Sequence, residues 1–118
     1  MCLALLLSAA ALSSVSEAAT DQWKYAGANE KGERFFYDSA SVVYFSKDLI
    51  RVWIRELKAD GQVKRFEEIN CSFKIIRDIQ VIDEGKKKIA VRPSRMPSDW
   101  RAMEKDPVTK ELHKVLCR

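Results

Sequence analysis

The chain has 118 residues, with 21 Lys or Arg, 17 Asp or Glu and a single His, which gives a formal net charge of +4. This length fits one domain with a modest core, and the basic balance favours anionic partners. Only four glycines are present and none are clustered, so a glycine-rich phosphate-binding loop is excluded.

The N-terminal segment carries a short apolar run. Residues 3–12 read LALLLSAAAL, which is too short for a bilayer span of roughly 20 residues and fits the apolar region of a secretory signal. Ser16 and Ala18 place small side chains at the −3 and −1 positions of a cleavage site. Although no Lys or Arg precedes the run, the pattern predicts a secretory signal peptide over residues 1–18.

The remaining chain, residues 19–118, is predicted to be one exported domain without a transmembrane segment. Cys2 precedes the apolar run, whereas the cysteine of a lipoprotein follows it, so a lipid anchor is not expected. We therefore expect the domain in the periplasm, at the cell surface or in the medium. The alternative is a buried apolar helix at the N-terminus of a cytoplasmic protein.

The first half of the domain predicts strands. Residues 23–29 (WKYAGAN) and 33–38 (ERFFYD) are aromatic strand candidates separated by a turn. Residues 39–47 are ambiguous. Residues 49–57 (LIRVWIREL) are the clearest strand, because aliphatic side chains alternate with Arg51, Trp53 and Arg55.

Further strands follow a predicted hairpin turn at Asp60-Gly61. Residues 62–73 return antiparallel, and residues 73–83 continue as a β-branched strand after a bend. A turn at 84–88 then leads to a short strand at 88–91. The pattern predicts an antiparallel meander of about five or six strands.

The C-terminal region predicts helical structure. Ser98 to Trp100 is interpreted as a cap and a short helical turn, and Asp106-Pro107 combines a preferred N-cap with Pro at the first helical position. Four apolar residues recur at helical spacing: Val108, Leu112, Val115 and Leu116. The sequence thus predicts an α+β fold with a C-terminal helix packed on one face of the sheet.

Two cysteines remain after signal cleavage, Cys71 and Cys117. In a small exported domain such a pair is most simply a disulfide, whose loop closure is worth about 4 kcal/mol in the chain-entropy model. The alternatives are a thiol nucleophile or half of a metal site, because His113 lies four residues before Cys117 on the same helix face. A metal site needs three or four ligands, so no metal or cofactor is expected.

Two groups of residues are candidates for binding an anionic ligand. Lys86, Lys87 and Lys88 cluster in one turn, where the alternative role is protection of a sheet edge. Arg51, Trp53 and Arg55 share one strand face and would stack on sugars or bind anions. The alternative for this second group is packing within the fold. No constellation of catalytic residues is found, so the chain is not expected to be an enzyme.

Six landmarks occur in order over nearly the whole domain: Trp23, FYDSASV (36–42), IRVWI (50–54), EINC (68–71), PSDW (97–100) and VLC (115–117). Together they resemble the bacterial surface-adhesin protein E family. The resemblance implies a bent antiparallel sheet with the helix on its concave face, held there by the cysteine pair that corresponds to Cys71 and Cys117.

The resemblance also suggests a function. The family's namesake is a membrane-associated adhesin that binds host matrix and plasma proteins. We therefore expect a non-enzymatic binding or adhesion module of the bacterial cell envelope, whose ligand is a host or envelope protein or an anionic glycan such as lipopolysaccharide. Nucleic acid is not expected as a physiological partner. The alternative is a periplasmic structural or assembly protein that pairs through its sheet face, for example as a homodimer.

Overall fold

The structure is a computed structural model that describes residues 22–85, 88–91 and 96–118. The predicted signal peptide, residues 1–18, lies outside the described residues. The described residues form eight β-strands, a short 3-10 turn and one α-helix: β1 (Trp23–Ala28), β2 (Arg34–Asp38), the 3-10 turn (Ser39–Ser41), β3 (Val43–Tyr44), β4 (Leu49–Lys58), β5 (Gly61–Asn70), β6 (Ile75–Gly85), β7 (Lys88–Val91), β8 (Arg101–Ala102) and α1 (Pro107–Leu116).

The strands form one antiparallel sheet with the order β1-β2-β4-β5-β6-β7. Two-residue strands extend its ends, since β3 pairs with β4 and β8 pairs with β6. The predicted α+β fold, a curled antiparallel sheet with one C-terminal helix, is confirmed. The sheet therefore has a concave face covered by the helix and a convex face turned away from it.

The β4–β5 hairpin forms where Asp60-Gly61 predicted it. Lys58 pairs with Gly61, so the turn itself is Ala59 and Asp60, and Gly61 opens β5. Gly61 has φ +148°, and a Cβ there would collide with the backbone of Glu84 on β6. Glycine is required at this position because the neighbouring strand approaches its backbone closely.

Residues 62–73 and 73–83 do not form one continuing strand. They form the β5–β6 hairpin, whose turn begins at Cys71 and ends at Lys74. Lys74 has φ 55°, and the Asn70 side chain accepts a hydrogen bond of 3.1 Å from the amide of Phe73. These features reverse the chain, which the β-branched composition of the segment did not reveal.

A β-bulge interrupts the pairing of β5 with β6. Glu67 pairs with Asp78 and Phe66 pairs with Gln80, so Ile79 is the extra residue on β6. Bulges bend a strand and increase its twist. This bulge also places two carboxyl groups opposite each other on the concave face.

The hydrophobic core lies between the concave face and the helix. Its buried members are Ala26, Ile50, Val52, Ile54, Ile69, Ile76, Met103, Val108, Leu112 and Leu116. The predicted helix stripe is wrong at one position: Val115 is 43% exposed, and Thr109 is buried instead. The Thr109 hydroxyl is satisfied there because it donates to the Met103 carbonyl oxygen at 2.6 Å.

The helix begins as its sequence predicts. Asp106 is the N-cap, its side chain accepts from the Val108 amide at 3.0 Å, and Pro107 occupies the first turn. The helical turn expected at Ser98 to Trp100 is wrong. Ser98 instead exchanges hydrogen bonds with the backbone of Asp78, donating from its own amide and accepting at its hydroxyl, which holds this segment extended beside β6.

The predicted disulfide is confirmed: Cys71 and Cys117 are bonded across a separation of 46 residues. Cys71 is the first residue after β5, so the bond ties the end of α1 to a hairpin turn rather than to the middle of a strand. His113 adds a second tie, since its Nε2 lies 3.0 Å from the Cys71 carbonyl oxygen. In the described part of the chain, no helix is long and apolar enough to cross a membrane.

Candidate functional site

The predicted ligand-binding arginines lie on the convex face, where they contact neighbouring side chains. Arg51 pairs with Glu68 at 3.1 Å and stacks over the Phe45 ring, 4.6 Å from its centroid. Arg77 on β6 pairs with the same carboxylate at 2.7 Å and stacks over Trp100 at 4.4 Å. One carboxylate between two stacked guanidinium groups thus joins β4, β5 and β6.

The other two predicted residues of this face also have internal partners. Trp53 packs on Phe66 with ring centroids 5.1 Å apart. Arg55 stacks on Trp23 and Phe36, at 4.7 Å and 5.5 Å from their centroids. The Arg55 Nε is buried and has no hydrogen-bond partner among the described residues.

These contacts explain the residues structurally, and their role in ligand binding stays a prediction. Lys86 and Lys87 lie outside the described residues. Lys88 begins β7, but its side chain is not among those described.

A different constellation lies on the concave face, in a cleft of about 440 Å³ beside the first turns of the helix. One wall is apolar and consists of Phe35, Ile54, Val108 and Leu112. Next to them lie the charged residues of the cleft floor, which are Glu56, Arg65, Glu67, Asp78 and Arg101. These groups come from four strands, β4, β5, β6 and β8, which the curl of the sheet brings together.

Ion pairs connect the charged groups of the cleft. Arg65 lies 3.2 Å from Glu56 and 3.5 Å from Asp78. Arg101 lies 2.9 Å from Glu67 and 3.2 Å from the other oxygen of Asp78. Asp78 therefore lies between two guanidinium groups, that of Arg65 on β5 and that of Arg101 on β8.

Glu67 has an unusual protonation state. Burial, the hydrogen bond to Asp78 and the negative charge of Asp78 raise its pKa to about 8. Burial alone would raise the pKa of Asp78 too, but the hydrogen bond from Glu67 and the charges of Arg101 and Arg65 lower it. At neutral pH Glu67 therefore carries a proton and donates it in a hydrogen bond to ionised Asp78.

The local sequence explains this arrangement. Glu67 and Glu68 are neighbours on a strand and face opposite sides, as the sequence indicates. Glu67 instead meets Asp78 across the β5–β6 bulge, and this pairing was missed. A signal was present, because Glu56 continues the inward-facing series Ile50, Val52 and Ile54, and a charged group at such a position marks a polar site in a core.

The helix contributes the remaining polar groups near the cleft. Asp106 lies at its mouth, and its carboxylate caps the helix at an end that favours negative charge. Within the described residues, no group of three or more His, Cys, Asp or Glu side chains is placed to hold a metal ion. The arrangement suits reversible binding of a polar group beside an apolar surface.

Comparison of the chain with protein-family models, with curated proteins and with solved structures found no match.

Proposed function

We propose that this chain is an exported, non-enzymatic binding module of the cell envelope, related to surface-adhesin protein E by the landmarks of its sequence. Its ligand would be a protein or an anionic envelope component. The curled sheet, the helix on its concave face and the disulfide between residues 71 and 117 support this proposal, because the resemblance implies all three.

The observation that carries the binding function is the concave-face cleft. It combines an apolar wall with five convergent charged side chains, one of which has a strongly shifted pKa. Ligand sites are typically concave, partly apolar and furnished with a few oriented polar groups, and shifted pKa values concentrate in them.

Several contacts favour binding over catalysis. Cys71 and Cys117 are joined, so neither supplies a thiol nucleophile. Glu67 and Asp78 share a proton, as the carboxyl pairs of acid–base catalysts do. Both are hydrogen-bonded to Arg101, however, which engages oxygens that a catalyst would direct at its substrate. The Thr109 hydroxyl, which also lines the cleft, is engaged with the Met103 carbonyl oxygen.

Export is supported by the disulfide, which is typical of an oxidising compartment. Intact-mass measurement on protein recovered from its native envelope fraction, after alkylation with and without reductant, tests it. We expect a chain that begins at residue 19 and takes up alkylating reagent only after reduction. A full-length chain with free thiols would contradict export.

Binding is tested by co-sedimentation of the purified protein with envelope membranes of its own cells. We expect the double variant Arg65→Gln/Arg101→Gln to lose retention, because it removes both guanidinium groups from the cleft. The double variant Lys24→Gln/Arg34→Gln, at exposed positions on β1 and β2, is the matched control for the loss of two positive charges. Equal retention of all proteins would count against the cleft, and the absence of any retention would count against envelope binding.

The exposed aromatic residues of the molecule favour the second candidate function, self-association through the convex side. Tyr25 and Phe45 are both more than half exposed, and exposed apolar groups concentrate at protein–protein contacts. Sedimentation equilibrium tests this candidate, and we expect a dimer that Phe45→Ser weakens. A strict monomer at high protein concentration would exclude it.

A further inference from the structure

The geometry points to an amphipathic carboxylate as the ligand of the concave-face cleft, with its head group at Arg65 and Arg101 and its apolar body against the helix wall. This inference rests on the proposed binding function and names the chemical class that the cleft accepts. Three properties of the cleft support it: the solvent exposure of its charged groups, their hydrogen-bonding capacity and the net charge of the floor.

The solvent-facing groups of the charged floor are hydrogen-bond donors. The side chains of Arg65 and Arg101 are 30% and 45% exposed, whereas those of Glu67 and Asp78 are 4% and 11% exposed. The carboxyl groups therefore lie beneath the guanidinium groups. A ligand that enters the cleft meets N–H groups before it meets carboxylate oxygens.

Among the described residues, both guanidinium groups keep N–H donors that no hydrogen-bond partner occupies. Each has five N–H groups in a planar fork. The contacts of Arg101 within the cleft come from Nη2 alone, and those of Arg65 use one contact each at Nη1 and Nη2. The planar fork matches a carboxylate, which it can bind through two parallel hydrogen bonds.

The charge balance permits an anionic head group. With Glu67 protonated, the negative charges of Glu56 and Asp78 are balanced by the two guanidinium groups. Of the other charged groups among the described residues, Asp106 lines the cleft and caps the positive end of the helix, and the side chain of Glu33 contacts Glu56. The buried carboxylates orient the guanidinium groups without leaving the floor itself with net negative charge.

The apolar wall gives the second half of the specificity. Phe35, Ile54, Val108 and Leu112 line the cleft beside the charged groups, the first two from the sheet and the last two from the helix. The volume of about 440 Å³ lies in the range of small-molecule sites. A ligand with an apolar body and a single planar anionic head can pack on the apolar residues and accept hydrogen bonds from the arginines at the same time. A strongly hydrated polyanion can make only the second kind of contact.

The experiment compares three probes with the same apolar body: decanoate, decylammonium and decanol, each below its micelle-forming concentration. Isothermal titration calorimetry on the disulfide-bonded protein at neutral pH measures the dissociation constants. We expect decanoate to bind at least about tenfold more tightly than the other two, since tenfold corresponds to one favourable charged contact. Equal or tighter binding of decylammonium would overturn the assignment of the head group.

Variants locate the head group. Arg65→Gln and Arg101→Gln are each expected to weaken decanoate binding at least about tenfold, and Arg34→Gln to leave it unchanged. Arg101 also bonds Glu67 and Asp78, so its loss could perturb folding. Methyl NMR of the wild-type protein therefore provides an independent test.

Decanoate should shift the methyl signals of Ile54, Val108 and Leu112 and leave that of Val115 on the exposed side of the helix unchanged. Shifts confined to exposed methyl groups would overturn the inference. Failure of this inference is distinguishable from failure of the proposed function. Loss of envelope co-sedimentation in the cleft variants, together with no binding of any decyl probe, would preserve the binding module and reject the amphipathic carboxylate.

Discussion

The two faces of the sheet contain the same charged unit with different surroundings. On the convex face, Glu68 lies between Arg51 and Arg77. On the concave face, Asp78 lies between Arg65 and Arg101. In both cases one buried carboxylate joins two guanidinium groups from different strands.

The two faces differ in the structure that lies beside the guanidinium groups. On the convex face each arginine stacks on an aromatic ring, Phe45 or Trp100, within 4.6 Å. On the concave face, both arginines line a cleft, and two further carboxyl groups are buried beside them, Glu56 at Arg65 and Glu67 at Arg101. The arginine side chains of the two faces are similarly exposed, with 34% and 28% for Arg51 and Arg77 against 30% and 45% for Arg65 and Arg101. The faces therefore differ in what the guanidinium groups border, which is aromatic rings on the convex face and a cleft with apolar residues on the concave face.

Removal of the disulfide should have the largest effect on the free energy of unfolding, and it should loosen the helix on the concave face. The double variant Cys71→Ser/Cys117→Ser frees a loop of 46 residues, so we expect the free energy of unfolding to fall by about 4 kcal/mol. Urea unfolding measures this loss. An unchanged midpoint would mean that core contacts and the His113 contact hold the helix by themselves.

Hydrogen exchange then separates the two faces in the same variant. Amides of α1 should exchange faster because the end of the helix is no longer tied to the β5–β6 turn. Amides of the β4–β5 hairpin, which supports the convex cluster, should retain most of their protection under native conditions. Uniformly faster exchange would show that the two faces unfold as one unit.

The pH dependence of stability should reveal the extra carboxyl group of the concave face. The pKa of Glu67 is about 8 in the folded protein, against an ordinary value of 4.5. Between these values the folded state binds a proton that the unfolded state has released. The contribution of Glu67 to the free energy of unfolding is therefore greatest below pH 4.5. It falls as the pH rises from 4.5 towards 8, by at most about 1.4 kcal/mol per pH unit.

Glu67→Gln should remove this dependence, because glutamine keeps a donor for Asp78 and does not ionise. Urea unfolding at about pH 5, 7 and 9 should show the variant close to wild type at the lowest pH and more stable at the highest. The lowered pKa of Asp78 acts in the opposite direction, and only in acid, where its protonation costs stability. Parallel pH profiles for both proteins would refute a neutral Glu67.

Local sequence signals predicted the fold well. The alternation in β4, the Asp60-Gly61 turn and the Asp106-Pro107 cap each act over a few residues, so their consequences are visible in the chain. The β5–β6 turn was obscured, because β-branched residues continue beyond it and the reversal depends on the conformation of Lys74. The extended Ser98 segment was missed because its partner, Asp78, is distant in sequence.

The site was hardly predictable from the sequence, for a related reason. The meeting of Glu67 with Asp78 depends on the β-bulge at Ile79, and Arg101 joins them only through the pairing of β8 with β6. Sequence reasoning selected Arg51 and Arg55 because basic and aromatic residues alternate there. That same alternation creates the stacking that now accounts for them.

On the convex face, Glu68→Gln should cost less than loss of the disulfide. The substitution removes the charge that Arg51 and Arg77 share, and hydrogen bonds to charged groups contribute roughly 1.5–3 kcal/mol. Both arginines are partly exposed, so water compensates in part, and we expect a loss near the lower value. Urea unfolding at neutral pH measures it, and the pH slope due to Glu67 should persist in this variant.

Arg55→Met should have the smallest effect on the free energy of unfolding. Stacking on Trp23 and Phe36 is worth about 0.5–1 kcal/mol per exposed contact. The buried Nε, which has no partner among the described residues, costs about 1–3 kcal/mol to desolvate. These terms oppose each other, so the free energy of unfolding should change by no more than about 1 kcal/mol.

The same variant decides whether the convex face also binds ligands. Arg34→Met removes one positive charge from an exposed position on β2 and serves as its matched control. If Arg55 only stacks within the fold, both variants should weaken retention on immobilised heparin to the same small extent, because a general charge effect depends on net charge. A much larger loss with Arg55→Met would establish a convex anion site and make the two faces functionally alike. Equal losses would show that Arg55 forms no anion site and would leave the concave cleft as the proposed ligand site.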